Sequence, residues 1–177
     1  GRDGTLWVGT AGGGLGGFDR RTERFECFRN DPGDPSSLSN DVVRAVHEDA
    51  SGAIWAGTDA GINRLDRTTG RFTRFLDDAS RPETAGIARV YGLWVAPDGI
   101  AWGGTPRGLV RLDPATKAVT RYRQADGLPN ESVYSVLPDG SGALWVSTNR
   151  GLARVLPSPD GRSASFRAFD VHDGLQS

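Results

Sequence analysis

The chain has 177 residues, 37% of them apolar and 24% charged, a balance that is globular rather than disordered. A formal net charge of −1 leaves no basic footprint for DNA or RNA, no apolar run approaches a membrane span, and a single cysteine excludes an internal disulfide or a cysteine-based metal cluster. The 25 glycines and 10 prolines fall at regular turn positions rather than in one tract, which favours many short strands.

Strand signals begin at once. Thr5–Thr10 alternates in the manner of a strand, Gly14–Asp19 supplies a second and Arg24–Phe28 a third, with Ala11-Gly12-Gly13-Gly14 as a hairpin turn between the first two. The residues Arg29–Asn40, rich in Pro, Ser and Asp, read as a long polar loop. Four strands follow at Val42–His47, Ala53–Thr58, Ile62–Asp66 and Arg71–Phe75, then, after a divergent entry at Leu76–Ala88, four at Arg89–Val95, Ile100–Thr105, Leu109–Asp113 and Ala118–Tyr122. The last four are Ser132–Leu137, Ala143–Thr148, Leu152–Leu156 and Ala164–Phe169, with a longer final hairpin through Pro157-Ser158-Pro159-Asp160-Gly161. The closing Asp173-Gly174-Leu175 repeats Asp126-Gly127-Leu128, so a further repeat opens there.

One string recurs through these elements. Asp3-Gly4-Thr5-Leu6-Trp7-Val8-Gly9-Thr10 returns as Ser51-Gly52-Ala53-Ile54-Trp55-Ala56-Gly57-Thr58, as Asp98-Gly99-Ile100-Ala101-Trp102-Gly103-Gly104-Thr105 and as Ser141-Gly142-Ala143-Leu144-Trp145-Val146-Ser147-Thr148. The four tryptophans are separated by 48, 47 and 43 residues, the period of propeller blades. The expected fold is therefore all-β: a β-propeller segment of about four four-stranded antiparallel blades, part of a larger, seven-bladed propeller, with a closed four-blade ring as the alternative. One segment, 1–177, divides into repeats at about 1–40, where the first strand is missing, and at 41–87, 88–130 and 131–177.

Within each repeat the residue types have physical reasons. The Asp-Gly or Ser-Gly pair makes a tight turn, the Trp fills space between blades, Gly57 and Gly104 let sheets approach closely, and Thr10, Thr58, Thr105 and Thr148 bond the turn that follows. A Trp once per repeat is read as inter-blade core in preference to a stacking platform. Cys27 is read as a small apolar strand residue.

Catalytic chemistry finds little footing. His47 and His172 are the only histidines, and neither has Cys or carboxylate at ligand spacing, so no catalytic, cofactor-binding or metal-ligating residue is assigned. Asp31, Asp34 and Asp41 offer a calcium reading, outweighed by ordinary turn chemistry. Blade topology gives a better guide: the hairpin between a blade's second and third strands and the crossover to the next blade emerge on one face. Asn40, Asp59, Arg107, Asn130 and Arg150 gather there as the candidate ligand-binding residues, with Arg107 and Arg150 one repeat apart in matching positions. Tyr91 and Tyr134, matched on the innermost strands, either face the channel or pack. The turns of the opposite face are short and suited to closure.

The repeated Gly-x-Leu/Ile-Trp-x-Gly-Thr-x-x-Gly-Leu/Ile-x-Arg-Leu-Asp, with Phe-x-x-Phe/Tyr after it, resembles the two-component regulator propeller repeat. That repeat is found in the sensor region of bacterial hybrid histidine kinases and some diguanylate cyclases. Copy four departs with Leu156 in place of the strand-ending Asp, copy one lacks Arg before Phe18-Asp19, and copy three lacks the Gly-Leu-Pro entry. The resemblance implies a non-catalytic ligand-sensing or scaffold segment in the periplasmic part of an inner-membrane receptor. Its implied partners are a small-molecule ligand such as a carbohydrate, the remaining blades and a membrane-proximal β-sandwich domain, in a membrane-anchored, dimeric parent that binds no nucleic acid. A lyase-like propeller enzyme and a protein-interaction propeller are the alternative classes.

Overall fold

The structure, a computed structural model, describes residues 1–76, 86–158 and 160–175. Among these are fifteen strands: β1 (Leu6–Gly9), β2 (Leu15–Asp19), β3 (Arg24–Phe28), β4 (Val43–Glu48), β5 (Ile54–Thr58), β6 (Gly61–Asp66), β7 (Arg71–Phe75), β8 (Gly92–Val95), β9 (Ala101–Thr105), β10 (Gly108–Asp113), β11 (Ala118–Tyr122), β12 (Val133–Pro138), β13 (Leu144–Thr148), β14 (Gly151–Pro157) and β15 (Ala164–Phe169). They form a three-stranded sheet, β1-β2-β3, and three four-stranded sheets, β4-β5-β6-β7, β8-β9-β10-β11 and β12-β13-β14-β15. Every neighbouring pair is antiparallel. Most of the Leu76–Ala88 entry and Pro159 of the last hairpin lie outside the described residues.

Three buried clusters hold the sheets side by side, each drawing on two successive blades. Leu15, Val43, Ile54 and Leu65 join the first two, Trp55, Ile62, Val90, Val95 and Val110 the next two, and Trp102, Leu109, Val133, Val146 and Val155 the last two. Period-2 alternation explains the pattern: Trp55, Arg64 and Thr73 share one face of their sheet, while Ile54, Leu65 and Phe72 share the other. Each Trp thus faces the following blade. Trp55 and Trp102 are almost wholly buried there, at 1% and 3% exposure.

Close approach is where glycine is required. A Cβ built on Gly57 would lie 2.8 Å from Val90 Cγ1, and one on Gly104 2.7 Å from the Val133 carbonyl oxygen. The four repeat threonines bond their turns as expected: Thr10 to the Gly14 carbonyl at 2.9 Å, Thr58 to Gly61 at 3.1 Å, Thr105 to Gly108 at 2.8 Å and Thr148 to Gly151 at 3.0 Å.

An unforeseen latch reinforces the second blade. The Asp49 carboxylate accepts from the Trp55 indole at 2.7 Å, from the Ser51 amide at 2.8 Å and hydroxyl at 2.6 Å, and from the Ala53 amide at 3.0 Å. Burial alone would raise its pKa; these hydrogen bonds outweigh burial and hold it below the ordinary carboxylate range.

The four sheets form an open arc. Leu6, Val8 and Phe25 on the outer face of the first blade are 46%, 38% and 68% exposed, and Leu137 and Leu156 on the outer face of the fourth are 60% and 46% exposed. The second-blade equivalents of Leu6, Val8 and Phe25, namely Ile54, Ala56 and Phe72, are buried against a neighbouring blade, and Trp145 of the fourth blade lacks the burial of Trp55 and Trp102, so the closed four-blade ring does not form. The same geometry accounts for Cys27, which is exposed because it shares the uncovered face with Val8 and Gly16.

Two short 3₁₀ turns, Gln124–Asp126 and Val171–Asp173, were not anticipated from the strand pattern. They are the same device used twice: Asp126 accepts from the Arg123 amide at 2.8 Å and Asp173 from the Asp170 amide at 3.0 Å. A glycine with positive φ, Gly127 or Gly174, ends each.

Candidate functional site

Arg44 on β4, Tyr91 immediately before β8 and Tyr134 on β12 stand at matching positions of three blades. In β4 and β12 the pairing register shifts at this point, between Val43 and Ala45 and between Val133 and Ser135. An extra residue in one strand re-aims its side chain. The result is a ladder across three blades: the Arg44 guanidinium lies 5.6 Å from the Tyr91 ring centroid, and the Tyr91 and Tyr134 rings stack at 5.3 Å with 20° between planes. Tyr91 and Tyr134 therefore pack on each other, and Tyr134 remains 45% exposed at the free end of the stack.

Asp59, at the hairpin between β5 and β6, anchors the other end. Its carboxylate is paired with Arg44 through two contacts, the Nη2 one at 3.0 Å, and with Arg89 Nε at 3.2 Å. The hydrogen bond from Arg44 is the main reason that its carboxyl is held below the usual range. Among the described residues, two arginines thus meet one carboxylate beside two aromatic rings.

The other candidates lie around this cluster with different bonding. Asn40 and Asn130 occupy equivalent crossovers and use their side-chain oxygens on the backbone, accepting from Val42 at 2.8 Å and Ser132 at 2.9 Å. The amide of Asp59 donates to the Val42 carbonyl at 3.2 Å, which brings the Asn40 turn and Asp59 together. Arg107 and Arg150 are exposed on the hairpins of the third and fourth blades, each with its backbone N–H on a repeat threonine hydroxyl at 3.1 Å. Among the described residues no carboxylate pairs with either side chain. Arg107 runs over Gly86, where a Cβ would meet its Nε at 2.9 Å.

Sequence reasoning passed over Arg44 and Arg89, because strand alternation does not show that a bulge turns a side chain out of its row. It also took the opposite face to be turns suited to closure. That face instead holds a cavity of about 490 Å³ lined by His47, Glu48, Trp94, Pro97, Pro138 and Arg2, among others. The signal available was Trp94, the one tryptophan out of phase with the repeat. Asp31, Asp34 and Asp41 serve separate turns, accepting from the amides of Gly33, Ser36 and Asn30 at 2.8, 2.8 and 2.7 Å.

One three-stranded and three four-stranded antiparallel sheets packed face to face in an arc, joined at their innermost strands, define a β-propeller segment. Two of its stretches, residues 37–60 and 127–150, match the profile of the family described as "Two component regulator propeller". No curated protein matches the chain. Among solved structures, the extracellular domain of a hybrid two component system from B. thetaiotaomicron superposes with a TM-score of 0.77 at 24% identity, covering 92% of this chain and 22% of that one. A second such domain from the same organism gives a TM-score of 0.67 at 25% identity, covering 92% and 23%. A streptogramin B lyase gives 0.70 at 19% identity, covering 98% of this chain and 54% of that one, a likeness of fold. The chain thus spans less than a quarter of the length of those two chains from B. thetaiotaomicron. No helix among the described residues is long and apolar enough to cross a membrane.

Proposed function

We propose that the chain is a ligand-sensing segment of the extracytoplasmic part of a membrane-anchored bacterial signalling receptor, and that it does no catalysis of its own. The repeat type and the likeness to extracellular domains of hybrid two component systems support this reading. The observation that carries it is the ladder of Arg44, Tyr91 and Tyr134 with the Asp59–Arg89 pair at its end. An exposed aromatic face at one end of the stack and fixed guanidinium and carboxylate groups at the other suit a small polar ligand, a saccharide above all: one sugar ring stacks on Tyr134 while hydroxyls further along an oligosaccharide bond the charged end. Arg107, Arg150 and the side-chain amides of Asn40 and Asn130 form the outer rim of the same site.

The uncovered faces of the first and fourth blades pack against further blades of the receptor, which completes the channel around the ladder. A membrane-proximal β-sandwich and a dimeric kinase or cyclase output follow in this reading. Signalling requires that the ligand bind the active and resting arrangements with different affinity.

Calorimetry against a panel of oligosaccharides tests the proposal. A ligand found in this way binds about tenfold more weakly to Tyr134→Ala, and the Arg107→Ala/Arg150→Ala pair weakens it further. Unchanged affinity in Tyr134→Ala removes the ladder as the site, and unchanged affinity in the arginine pair removes the rim.

A further inference from the structure

The cavity on the opposite face differs in chemistry from the ladder. It is walled by the ends of the innermost strands and by the first turns of three blades. His47 and Trp94 occupy equivalent positions there, each paired across its sheet with a repeat tryptophan, Trp55 and Trp102. Leu137 holds the same position in the fourth blade, opposite Trp145. The volume, about 490 Å³, lies within the range of small-molecule sites.

Ser, Thr, Tyr, Asn and Gln are all missing from the lining residues, whose polar side chains are those of Arg2, His47 and Glu48. Two of these are already engaged with one another's segments: the Arg2 amide donates to the Glu48 carboxylate at 2.9 Å, and the Arg2 guanidinium to the Ala50 carbonyl at 2.7 Å. Opposite charges at one rim favour neither an anion nor a cation. Burial holds His47 toward its neutral form against the opposing pull of a hydrogen bond from one ring N–H to the Val95 backbone, which leaves its other ring nitrogen as an acceptor. Trp94 is half-buried against the cluster between the third and fourth blades, and no described residue accepts its indole N–H.

We propose that this pocket binds an uncharged, planar aromatic compound of one or two rings, which stacks on Trp94 between Pro97 and Pro138 and turns one polar edge to His47 and Glu48. A sugar would need several directional partners, and the lining offers few. An aromatic ring needs apolar contact and one hydrogen bond, which Trp94, the prolines and the His47–Glu48 edge provide. The two mouths of the channel then recognise different ligand chemistries, and neither site depends on the other.

Indole is the probe, with glucose as the polar control, and the five indole N–H signals of ¹⁵N-labelled chain are the readout. Indole shifts the Trp94 signal along a saturable curve, glucose leaves it in place, Pro138→Glu weakens indole binding at least about fivefold by that signal, and Trp94→Leu does so by calorimetry. Pro138 is exposed, so its variant stays informative if Trp94→Leu does not fold. A linear shift, a shift confined to Trp7 or Trp145 on the outer blades, an equal response to glucose, or full indole affinity in a folded Pro138→Glu overturns the assignment.

Discussion

Replacing Gly57 by Ala drives a methyl group into the seam between the second and third blades. The new Cβ lies 2.8 Å from Val90 Cγ1, 3.2 Å from Val90 Cβ and 3.3 Å from the Val90 carbonyl oxygen. Normal carbon contacts fall at about 3.5–4.0 Å, so the sheets must separate or Val90 must leave its rotamer, at a cost of about 1–3 kcal/mol. Alanine regains about 0.5–1 kcal/mol of backbone entropy that glycine forfeits, which leaves a net loss of up to about 2.5 kcal/mol. Val90 is itself fully buried, at 0% exposure, and Val90→Ala removes about 1.6 kcal/mol of transfer energy before any cavity term. The double variant relieves the nearest clash, so its loss falls short of the two single losses added together by about 1 kcal/mol or more. Gly16 is the control. It lies on the uncovered face of the first blade, where a Cβ meets nothing nearer than the Val8 carbonyl oxygen at 3.8 Å, and Gly16→Ala is neutral or slightly stabilising. Urea titration followed by tryptophan fluorescence gives all four values. Additive losses, or a Gly57→Ala no costlier than Gly16→Ala, would refute glycine-limited packing between blades.

Asp49→Ala removes the acceptor of four hydrogen bonds, including that of a buried indole, and costs about 2–3 kcal/mol with a change in Trp55 emission; unchanged stability would make the latch incidental. For His47 the folded pKa is depressed by burial, so between that value and about 6.5 the unfolded chain holds more protons and stability falls as pH drops. His47→Leu flattens that slope, and a slope left intact assigns it to another group. Asp59 runs on a lower window: its folded pKa is depressed, chiefly by Arg44, so its contribution is whole above the unfolded carboxylate value and is lost as pH falls through the folded one. Asp59→Asn removes this acid-side loss in a pH titration of stability below pH 4, and an unaltered acid limb would show that the Arg44–Asp59–Arg89 cluster adds nothing to the fold.

Strands were legible because the same physics repeats in each blade. The outermost strands Arg24–Phe28, Arg71–Phe75, Ala118–Tyr122 and Ala164–Phe169 fall where alternation puts them, and the threonine and glycine devices do what their types suggest. The strand β8 is the exception, beginning at Gly92 where alternation starts it at Arg89. There Val90 and Tyr91 bond to Thr58 of the preceding blade and to Gly104, so the ladder pattern gives way to a seam between sheets. The 3₁₀ turns are three residues long, too short for any period to register.

At the site, Asp59 was identifiable from its hairpin position, but its two arginine partners were not. Arg44 stands on a bulge, and Arg89 comes from the next blade, 30 residues along the chain. The pocket at the opposite mouth was missed for a related reason: strand ends, with Trp94 and His47, wall it, and turn composition alone does not show them.

The central claim is that the outer faces of the first and fourth blades are inter-blade surfaces, so that the ladder belongs to a wider ring. Sedimentation velocity over a range of chain concentrations tests it directly. Phe25, Leu137 and Leu156 on those faces predict association that rises with concentration and falls when Phe25 or Leu137 is replaced by Glu. A chain that sediments as a compact monomer at every concentration, unaffected by either substitution, would contradict the claim.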